Sequence, residues 1–194
     1  MHSKYLLALL LISVSIFSSA QKKTCSLKFH SINSLSFLNG ENEVSAGLQS
    51  VNGLQKGNWF AGLGVGLDYY IHRSVPLFAD LRYEFGKKKD KFFAYVDGGV
   101  NFAWVEDQVY NGPIILEDPM MTNSGKFHNG YYTDAGLGYI INVKKAGGLV
   151  MSLGHSHKTL REDVTYTDWR TQQPTTDIYR YKFNRIVVKL GWRF

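Results

Sequence analysis

The sequence predicts an all-β protein: an eight-stranded antiparallel up-and-down β-barrel that spans a membrane and is preceded by a cleavable signal peptide. Three observations lead to this prediction. Apolar residues recur at every second position in segment after segment, aromatic residues gather near the segment ends, and the opposite faces carry carboxylates, Arg, Lys and Gly. A period of two is that of a strand with two different faces, and this distribution is typical of a transmembrane barrel.

The composition agrees with a single barrel domain. The chain has 194 residues, of which 44% are hydrophobic and 20% charged, so it can bury one ordinary core and is not disordered. A mean hydropathy of −0.19 excludes a bundle of membrane helices but not a barrel, whose strands are half polar. Cys25 is the single cysteine, which excludes an internal disulfide framework.

The first twenty residues have the layout of a secretory signal peptide. A basic start ending at Lys4 precedes the 13-residue apolar run Tyr5–Phe17, and small residues end at Ala20. An uncleaved anchor is the alternative, but a spanning helix needs about 20 apolar residues. We therefore divide the chain into a signal peptide at 1–20 and a barrel domain at 21–194, which keeps 21 basic against 16 acidic residues. An exported chain is expected to meet outer-membrane lipid rather than nucleic acid.

Eight segments are predicted to be strands. In chain order they are Leu27–Phe37, Glu43–Val51, Trp59–Ile71, Leu77–Gly86, Phe92–Val105, Tyr131–Val143, Leu149–Lys158 and Arg185–Phe194. The first, second and seventh alternate weakly, whereas the other five alternate throughout. In the third strand, for example, Leu63, Val65 and Leu67 lie on one face, and Gly64 and Asp68 lie on the other.

The links between these segments alternate between two ends of the barrel. Inner turns are predicted at Asn52–Gly57, Lys87–Lys91 and Lys144–Gly148. Outer loops are predicted at Asn39–Asn42, His72–Pro76, Glu106–Phe127 and Arg161–Asp177. Both long loops fall on one side and both termini on the other, as an even number of strands with short periplasmic turns requires.

An eight-stranded barrel is only wide enough for side chains to fill its interior. The polar faces place nine ionisable residues there, and we expect them to form a network of ion pairs: Asp68, Asp80, Arg82, Glu84, Asp97, Asp134, Arg185, Lys189 and Arg193. Pairing offsets the desolvation of each charge, which otherwise costs several kcal/mol. Glycines 62, 64, 66, 136 and 138 are expected to leave room for larger neighbours. Such an interior is a plug unsuited to conduction.

Three stretches and the C-terminus resemble those of a known family. The stretches 62–70 (GLGVGLDYY), 76–83 (PLFADLRY) and 130–139 (GYYTDAGLGY), with a last strand ending at Phe194, resemble the small OmpA/OmpX-type outer-membrane barrels of Gram-negative bacteria. The resemblance covers most of the chain after the signal peptide and implies an eight-stranded outer-membrane barrel. It also implies that the barrel-assembly machinery is a partner that reads Val188, Leu190, Trp192 and Phe194.

Two motifs contain residue types that occur in binding and catalytic sites. The glycines at 62, 64 and 66 do not have the spacing of a dinucleotide loop, and no helix follows them. Ser156 lies between His155 and His157, but side chains one apart on a strand point to opposite faces, so neither imidazole can act as its base. The two histidines share a face but lack a third metal ligand. We therefore expect no catalytic residue, metal or cofactor.

The longest loop is acidic. Glu106, Asp107, Glu117 and Asp118 could contact a cation or a partner, although solvated loop charges are commoner than a calcium site. The main hypothesis is a non-enzymatic outer-membrane barrel with a structural or surface-interaction role carried by its two long loops, whose partner the sequence does not identify. The alternatives are a lipid acyl hydrolase or transferase that uses Ser156, and a soluble lipocalin-like carrier with its leucines pointing inward.

Overall fold

A computed structural model of the chain describes residues 27–41, 43–86, 90–105, 108–110, 123–143, 147–167 and 173–194. The strands within these ranges are β1 Leu27–Asn39, β2 Val44–Lys56, β3 Trp59–Asp68, β4 Ser74–Phe85, β5 Lys91–Ala103, β6 Gln108–Tyr110, β7 Asn123–His128, β8 Gly130–Val143, β9 Gly147–Thr167 and β10 Pro174–Arg193. No helix in these ranges is long and apolar enough to cross a membrane. The predicted signal peptide lies outside the described residues.

Eight of the strands form a closed antiparallel ring in the order β10-β1-β2-β3-β4-β5-β8-β9, and β9 pairs with β10 to complete it. The first and last strands pair from Ile32 with Arg193 to Asn39 with Ile186. Both termini of the described chain therefore lie at one end of the ring, which we call the inner end. The all-β class, the antiparallel topology and the number of strands in the ring are confirmed.

The two long outer loops are where the sequence-based prediction is wrong. The segment predicted as the loop Arg161–Asp177 is mostly strand, because β9 continues to Thr167 and β10 begins at Pro174. The segment predicted as Glu106–Phe127 contains β6 and most of β7, which pair with each other, and β7 pairs with β9. The four strands β10, β9, β7 and β6 thus extend the barrel wall beyond the outer end of the ring; we call this part the outer sheet.

Apolar residues at every second position did not predict the outer sheet, because this pattern requires that one face of each strand be apolar. The β9 and β10 segments of the outer sheet are rich in Thr and Tyr, which favour strands, but polar residues occupy both faces. Two of the shorter links also differ from the prediction. Most of the predicted turn Asn52–Gly57 is strand, since β2 runs to Lys56, and β4 begins at Ser74 inside the predicted loop His72–Pro76.

The apolar residues face outward and the ionisable residues face inward. Leu63, Leu81 and Leu137 are 69%, 43% and 63% exposed, whereas Asp97 and Arg185 are each 1% exposed. Exposed aromatic rings mark both ends of this outer surface. Those at the inner end are Phe29, Trp59, Tyr83, Phe85, Phe92 and Phe194, and those toward the outer end are Phe37, Tyr69, Phe102, Trp104 and Tyr131.

The distance between the two aromatic rims matches a bilayer. Trp59 and Tyr69 both face outward near opposite ends of β3, ten residues apart. Ten residues span about 33 Å along a strand. A strand tilt of about 35–45° reduces this length to about 25 Å of height, the usual height of the apolar band of an outer-membrane barrel.

Inside the ring, aromatic side chains pack into spaces that glycines leave open. A Cβ added to Gly64 would overlap the Phe78 ring, and one added to Gly138 would overlap the Phe93 ring. Both rings are buried and belong to a cluster with Phe60, Tyr132 and other apolar residues. The interior is therefore packed with side chains rather than open.

Candidate functional site

The interior of the ring is the candidate site, because the ionisable residues of the barrel gather there. In its middle, Asp80, Asp97 and Asp134 lie side by side on β4, β5 and β8, since the register pairs Asp80 with Asp97 and Asp97 with Asp134. Three adjacent carboxylates repel one another unless cations lie between them. We call this group the aspartate row.

Two cations lie against the three carboxylates of the aspartate row. The Nε and Nη2 atoms of Arg82 donate hydrogen bonds of 2.7–2.9 Å to both carboxylate oxygens of Asp80. Lys189 Nζ lies 3.3 Å from Asp97 Oδ2 and 2.8 Å from Asp134 Oδ2. Such charge-assisted bonds are about twice as strong as neutral ones, and they offset part of the desolvation of each charge.

Aromatic groups complete the shell around these ions. The hydroxyls of Tyr95 and Tyr132 donate to the two oxygens of Asp134, at 2.9 and 3.0 Å. The Arg82 guanidinium carbon lies 5.3 Å from the centroid of the Phe93 ring, and Lys189 Nζ lies 4.6 Å from that of Tyr95. The negative faces of the rings stabilise the buried cations.

A second group of ions, the outer ion cluster, lies near the outer end of the ring. Asp68 accepts hydrogen bonds from Lys158 Nζ at 3.0 Å and from Arg185 Nη1 at 2.5 Å. Lys158 Nζ also donates to the backbone oxygens of Tyr70 and His72, each at 2.9 Å. Lys158 is fully buried, so its ammonium joins β9 to the β3–β4 turn across the interior.

A third group lies at the inner end. Arg193 Nη1 donates to Glu84 Oε1 at 2.6 Å, Lys91 Nζ lies 3.0 Å from Glu84 Oε2, and Arg193 Nη2 donates to Asn142 at 2.7 Å. These residues line a recess of about 360 Å³ together with Lys28, His30 and Gln55. Glu84 is the one carboxylate of this lining and is shared by Lys91 and Arg193, so with Lys28 the recess carries more positive than negative charge.

Aromatic side chains cover the outer ion cluster. The His72 ring centroid lies 4.9–6.1 Å from those of Phe127, Tyr181 and Phe183. This burial lowers the pKa of His72, and nearby Lys158 adds to the effect while Glu162 opposes it. The Tyr181 hydroxyl donates to Glu162 at 2.7 Å. The outer mouth of the ring is therefore filled by side chains.

The structure places all nine residues of the expected lumen network in the interior, and each has an ion-pair partner. Sequence analysis missed Lys158 and Lys91, which share Asp68 and Glu84 with the expected cations. Lys158 could have been found, because it continues the inward-facing series Ser152 and Ser156 on its strand. Lys158 is the last residue of the weakly alternating predicted strand Leu149–Lys158.

Ser156 is fully buried, and the neighbouring histidines point away from it. Its Oγ accepts a hydrogen bond from Arg185 Nη2 at 2.8 Å, whereas His157 Nδ1 lies 2.6 Å from Asn184 Oδ1 on the outer wall. Within the described ranges, no group of three or more His, Cys, Asp or Glu side chains could hold a metal ion. The acidic loop residues Glu106, Asp107, Glu117 and Asp118, and Cys25, lie outside those ranges.

The last strand closes the ring. Val188, Leu190 and Phe194 are exposed on its outer face, and Trp192 is half-buried beside them. The Phe194 amide donates to Ser31 O at 2.9 Å, which joins the C-terminus to β1. The arrangement places the residues of the expected assembly signal on the outer wall at the inner end.

Comparisons with known proteins give neither a family nor a function. No protein-family model matches the chain, and no curated protein matches it. One solved structure, the solid-state NMR structure of outer membrane protein AlkL in DMPC lipid bilayers, is 13% identical, with a TM-score of 0.43; the match covers 91% of this chain and 92% of that one. The resemblance to OmpA/OmpX-type barrels stays a prediction.

Proposed function

We propose that this chain is an integral outer-membrane β-barrel with a filled interior, and that it has a structural or surface-interaction role carried by its outer sheet. One observation carries the proposal: leucines cover the outside of the ring while carboxylates and cations fill its centre. In water this arrangement would expose a continuous apolar surface. Against lipid chains it is the stable arrangement.

The same observation argues against a soluble carrier. A lipocalin-like barrel binds its ligand in an apolar interior, which would require Leu63, Leu81 and Leu137 to point inward. They point outward, and the corresponding interior positions hold the aspartate row and its cations. The charged, side-chain-filled interior also supports the expectation that the barrel does not conduct ions.

Nothing in the described residues favours the hydrolase alternative. A serine nucleophile needs a base within hydrogen-bond reach, whereas Ser156 Oγ is bonded to the Arg185 guanidinium and is closed off from lipid. If Ser156 were a nucleophile after all, Ser156→Ala would abolish turnover of labelled phospholipid.

Fractionation of expressing cells tests the proposed location. We expect the protein in the outer-membrane fraction, resistant to carbonate extraction, and with a gel mobility that changes on boiling, because a closed barrel stays folded in cold SDS. Recovery of folded protein from the periplasm without detergent would refute the proposal. In planar bilayers, reconstituted protein is expected to give no steady conductance; stable channel openings would show that the interior is not a plug.

The proposal extends to assembly. Phe194→Ser is expected to lower the amount of barrel inserted in cells, because the resemblance makes Phe194 part of the signal that the assembly machinery reads. The same variant is expected to refold in detergent as wild type does, since the Phe194 side chain is 65% exposed and little packing is lost. Quantitative immunoblots of outer membranes, with Phe29→Ser as an exposed aromatic control on β1, give the comparison; equal insertion of both variants would contradict the role.

A further inference from the structure

The outer wall carries polar side chains where lipid chains would otherwise contact it. Four of them, which we call the amide patch, are Ser31 and Asn33 on β1 and Ser50 and Asn52 on β2. They occupy the outward-facing positions of their strands, and the register pairs Ser31 with Asn52 and Asn33 with Ser50. Directly opposed side chains on an antiparallel pair lie about 5 Å apart, so the four form one compact array.

The amide patch extends well into the apolar band. Asn33 lies midway between Phe29 and Phe37, whose exposed rings mark the inner and outer parts of β1. Ser50 is the central residue of β2, six residues from either end. The other two members lie one outward position nearer the inner end. The patch thus covers part of the wall between the middle of the barrel and its inner rim.

The hydrogen-bonding groups of the patch are largely unused within one barrel. The bond from Asn52 Nδ2 to Ser50 Oγ is long, at 3.4 Å. The Asn33 side chain is exposed, and among the residues placed by the structure it has no hydrogen-bond partner. Lipid chains offer neither donors nor acceptors, so an exposed amide at this depth is unfavourable until another polar group covers it.

We infer that the amide patch is the contact surface between two copies of this barrel, side by side in the membrane. The inference rests on the membrane-spanning function proposed above. A second copy inserted in the same direction carries its own patch at the same depth, and a twofold axis along the membrane normal brings the two together. An amide is both donor and acceptor, and the four residues carry no charge, so the patch is complementary to itself.

The surroundings of the patch suit close contact between barrels. A groove of about 570 Å³ lies on the outer wall beside Asn33 and Ser50, with Leu35, Leu48 and Val65 among its lining residues. Next to Asn52 on β3, the Leu63 side chain projects outward. We expect the projecting Leu63 of one copy to pack into the groove of the other. Packing of this kind, together with hydrogen bonds between polar side chains, is how proteins associate in lipid.

Cross-linking in bilayers tests which wall forms the contact. In a Cys25→Ser background, Asn33→Cys is compared with Val96→Cys. Val96 is exposed on β5, four strands from β1 in either direction around the ring. With a short bis-maleimide in dilute proteoliposomes, we expect the Asn33→Cys barrel to give a covalent dimer and the Val96→Cys barrel to stay monomeric. Equal yields from the two positions, or no dimer from Asn33→Cys, would overturn the inference.

A second experiment measures association of the barrel without a cysteine in the patch. Proteins labelled on the outer sheet with donor and acceptor dyes are diluted with lipid, and energy transfer gives the dimer fraction. We expect Asn33→Leu with Asn52→Leu to weaken association at least tenfold, and Thr133→Val, a loss of an outward hydroxyl on β8, to leave it unchanged. If wild type is monomeric, or if the double variant associates as wild type does, the inference is wrong. If the double variant fails to fold, the wild-type dilution curve and the comparison of Asn33→Cys with Val96→Cys still test the inference.

The two proposals fail in different ways. A barrel that never enters the membrane refutes the proposed function. A barrel that shows heat-dependent gel mobility and carbonate resistance, yet remains monomeric at every lipid ratio, refutes only the dimer. If a different protein covers the patch, the wild-type barrel will also be inserted but monomeric, because it does not associate with itself.

Discussion

Asp68 holds the outer ion cluster together. One carboxylate accepts hydrogen bonds from Lys158 and Arg185, which come from strands about 90 and 117 residues away in the chain. All three side chains are buried, so neither cation can turn to water if the carboxylate is lost. The sharing of one anion by two cations makes Asp68 a more sensitive position than either cation alone.

Asp68→Asn is therefore expected to lower the free energy of unfolding by about 3–5 kcal/mol, because it leaves buried charge without compensation. Adding Lys158→Met to that variant removes one of the two cations and should restore part of the loss. The control is Asp163→Asn on the outer sheet, whose partners Arg161 and His128 are partly exposed to solvent, and we expect little change there. Urea titrations in lipid vesicles, followed by tryptophan fluorescence, measure all three; equal stability of Asp68→Asn and wild type would contradict the role of Asp68.

His72 gives a prediction about pH. Its ordinary pKa of 6.5 is lowered, mainly because the ring is buried under the outer sheet. The fold therefore favours neutral His72, and the stability that it contributes is present above pH 6.5 and is lost as the pH falls toward the lowered pKa. The NMR titration of the His72 ring is expected to have its midpoint below 6.5, and Phe127→Ala, which uncovers the ring, should raise that midpoint. A wild-type midpoint above 6.5 would show that Glu162 outweighs burial.

At the scale of a strand, glycines set how closely the aromatic rings of the interior can approach the wall. Gly64 and Phe78 show the relation most simply, since the ring occupies the space that a Cβ on Gly64 would need. Phe78 in turn packs against Tyr132, with ring centroids 5.2 Å apart. A glycine on β3 thus determines a contact between β4 and β8.

Gly64→Ala is expected to cost about 1–3 kcal/mol of folding free energy, because the interior is already filled and the Phe78 ring must shift. Gly98→Ala on β5 is the matched control, since a Cβ there meets no atom within 4 Å. In the presence of Phe78→Leu, the penalty of Gly64→Ala should shrink, which a double-mutant cycle in the same urea assay would show. A penalty that Phe78→Leu does not change would mean that the two sites are independent.

For the molecule as a whole, the distribution of apolar and charged side chains determines which part is stable in lipid and which part is stable in water. The ring has an apolar outer surface between aromatic rims and an interior in which ion pairs and rings occupy the space. The β9 and β10 segments of the outer sheet, by contrast, carry polar residues on both faces, which suits them to water. The molecule therefore divides along its axis into a lipid-facing part and a part that can meet external partners.

A charge placed on the lipid-facing part should cost an amount that depends on depth. Leu137 lies in the middle of the outward face of β8, and Val143 lies at the inner end of the same strand. Leu137→Arg is expected to cost about 2–4 kcal/mol and Val143→Arg about 0–1 kcal/mol, as found for the midplane and the interface of such barrels. Refolding into vesicles against a urea gradient measures both; equal penalties would place the bilayer elsewhere.

The sequence by itself determined the strands of the ring and which face of each is apolar, because a period of two is a local property that tertiary contacts do not alter. It also placed nine ionisable residues on the inner faces. Only the tertiary structure decided which of them pair, and that Lys158 and Lys91 join them, since pairing depends on how strands far apart in the chain are staggered around a closed ring. The outer sheet likewise could be identified only from the structure, because strands with polar residues on both faces show no alternation of apolar and polar residues.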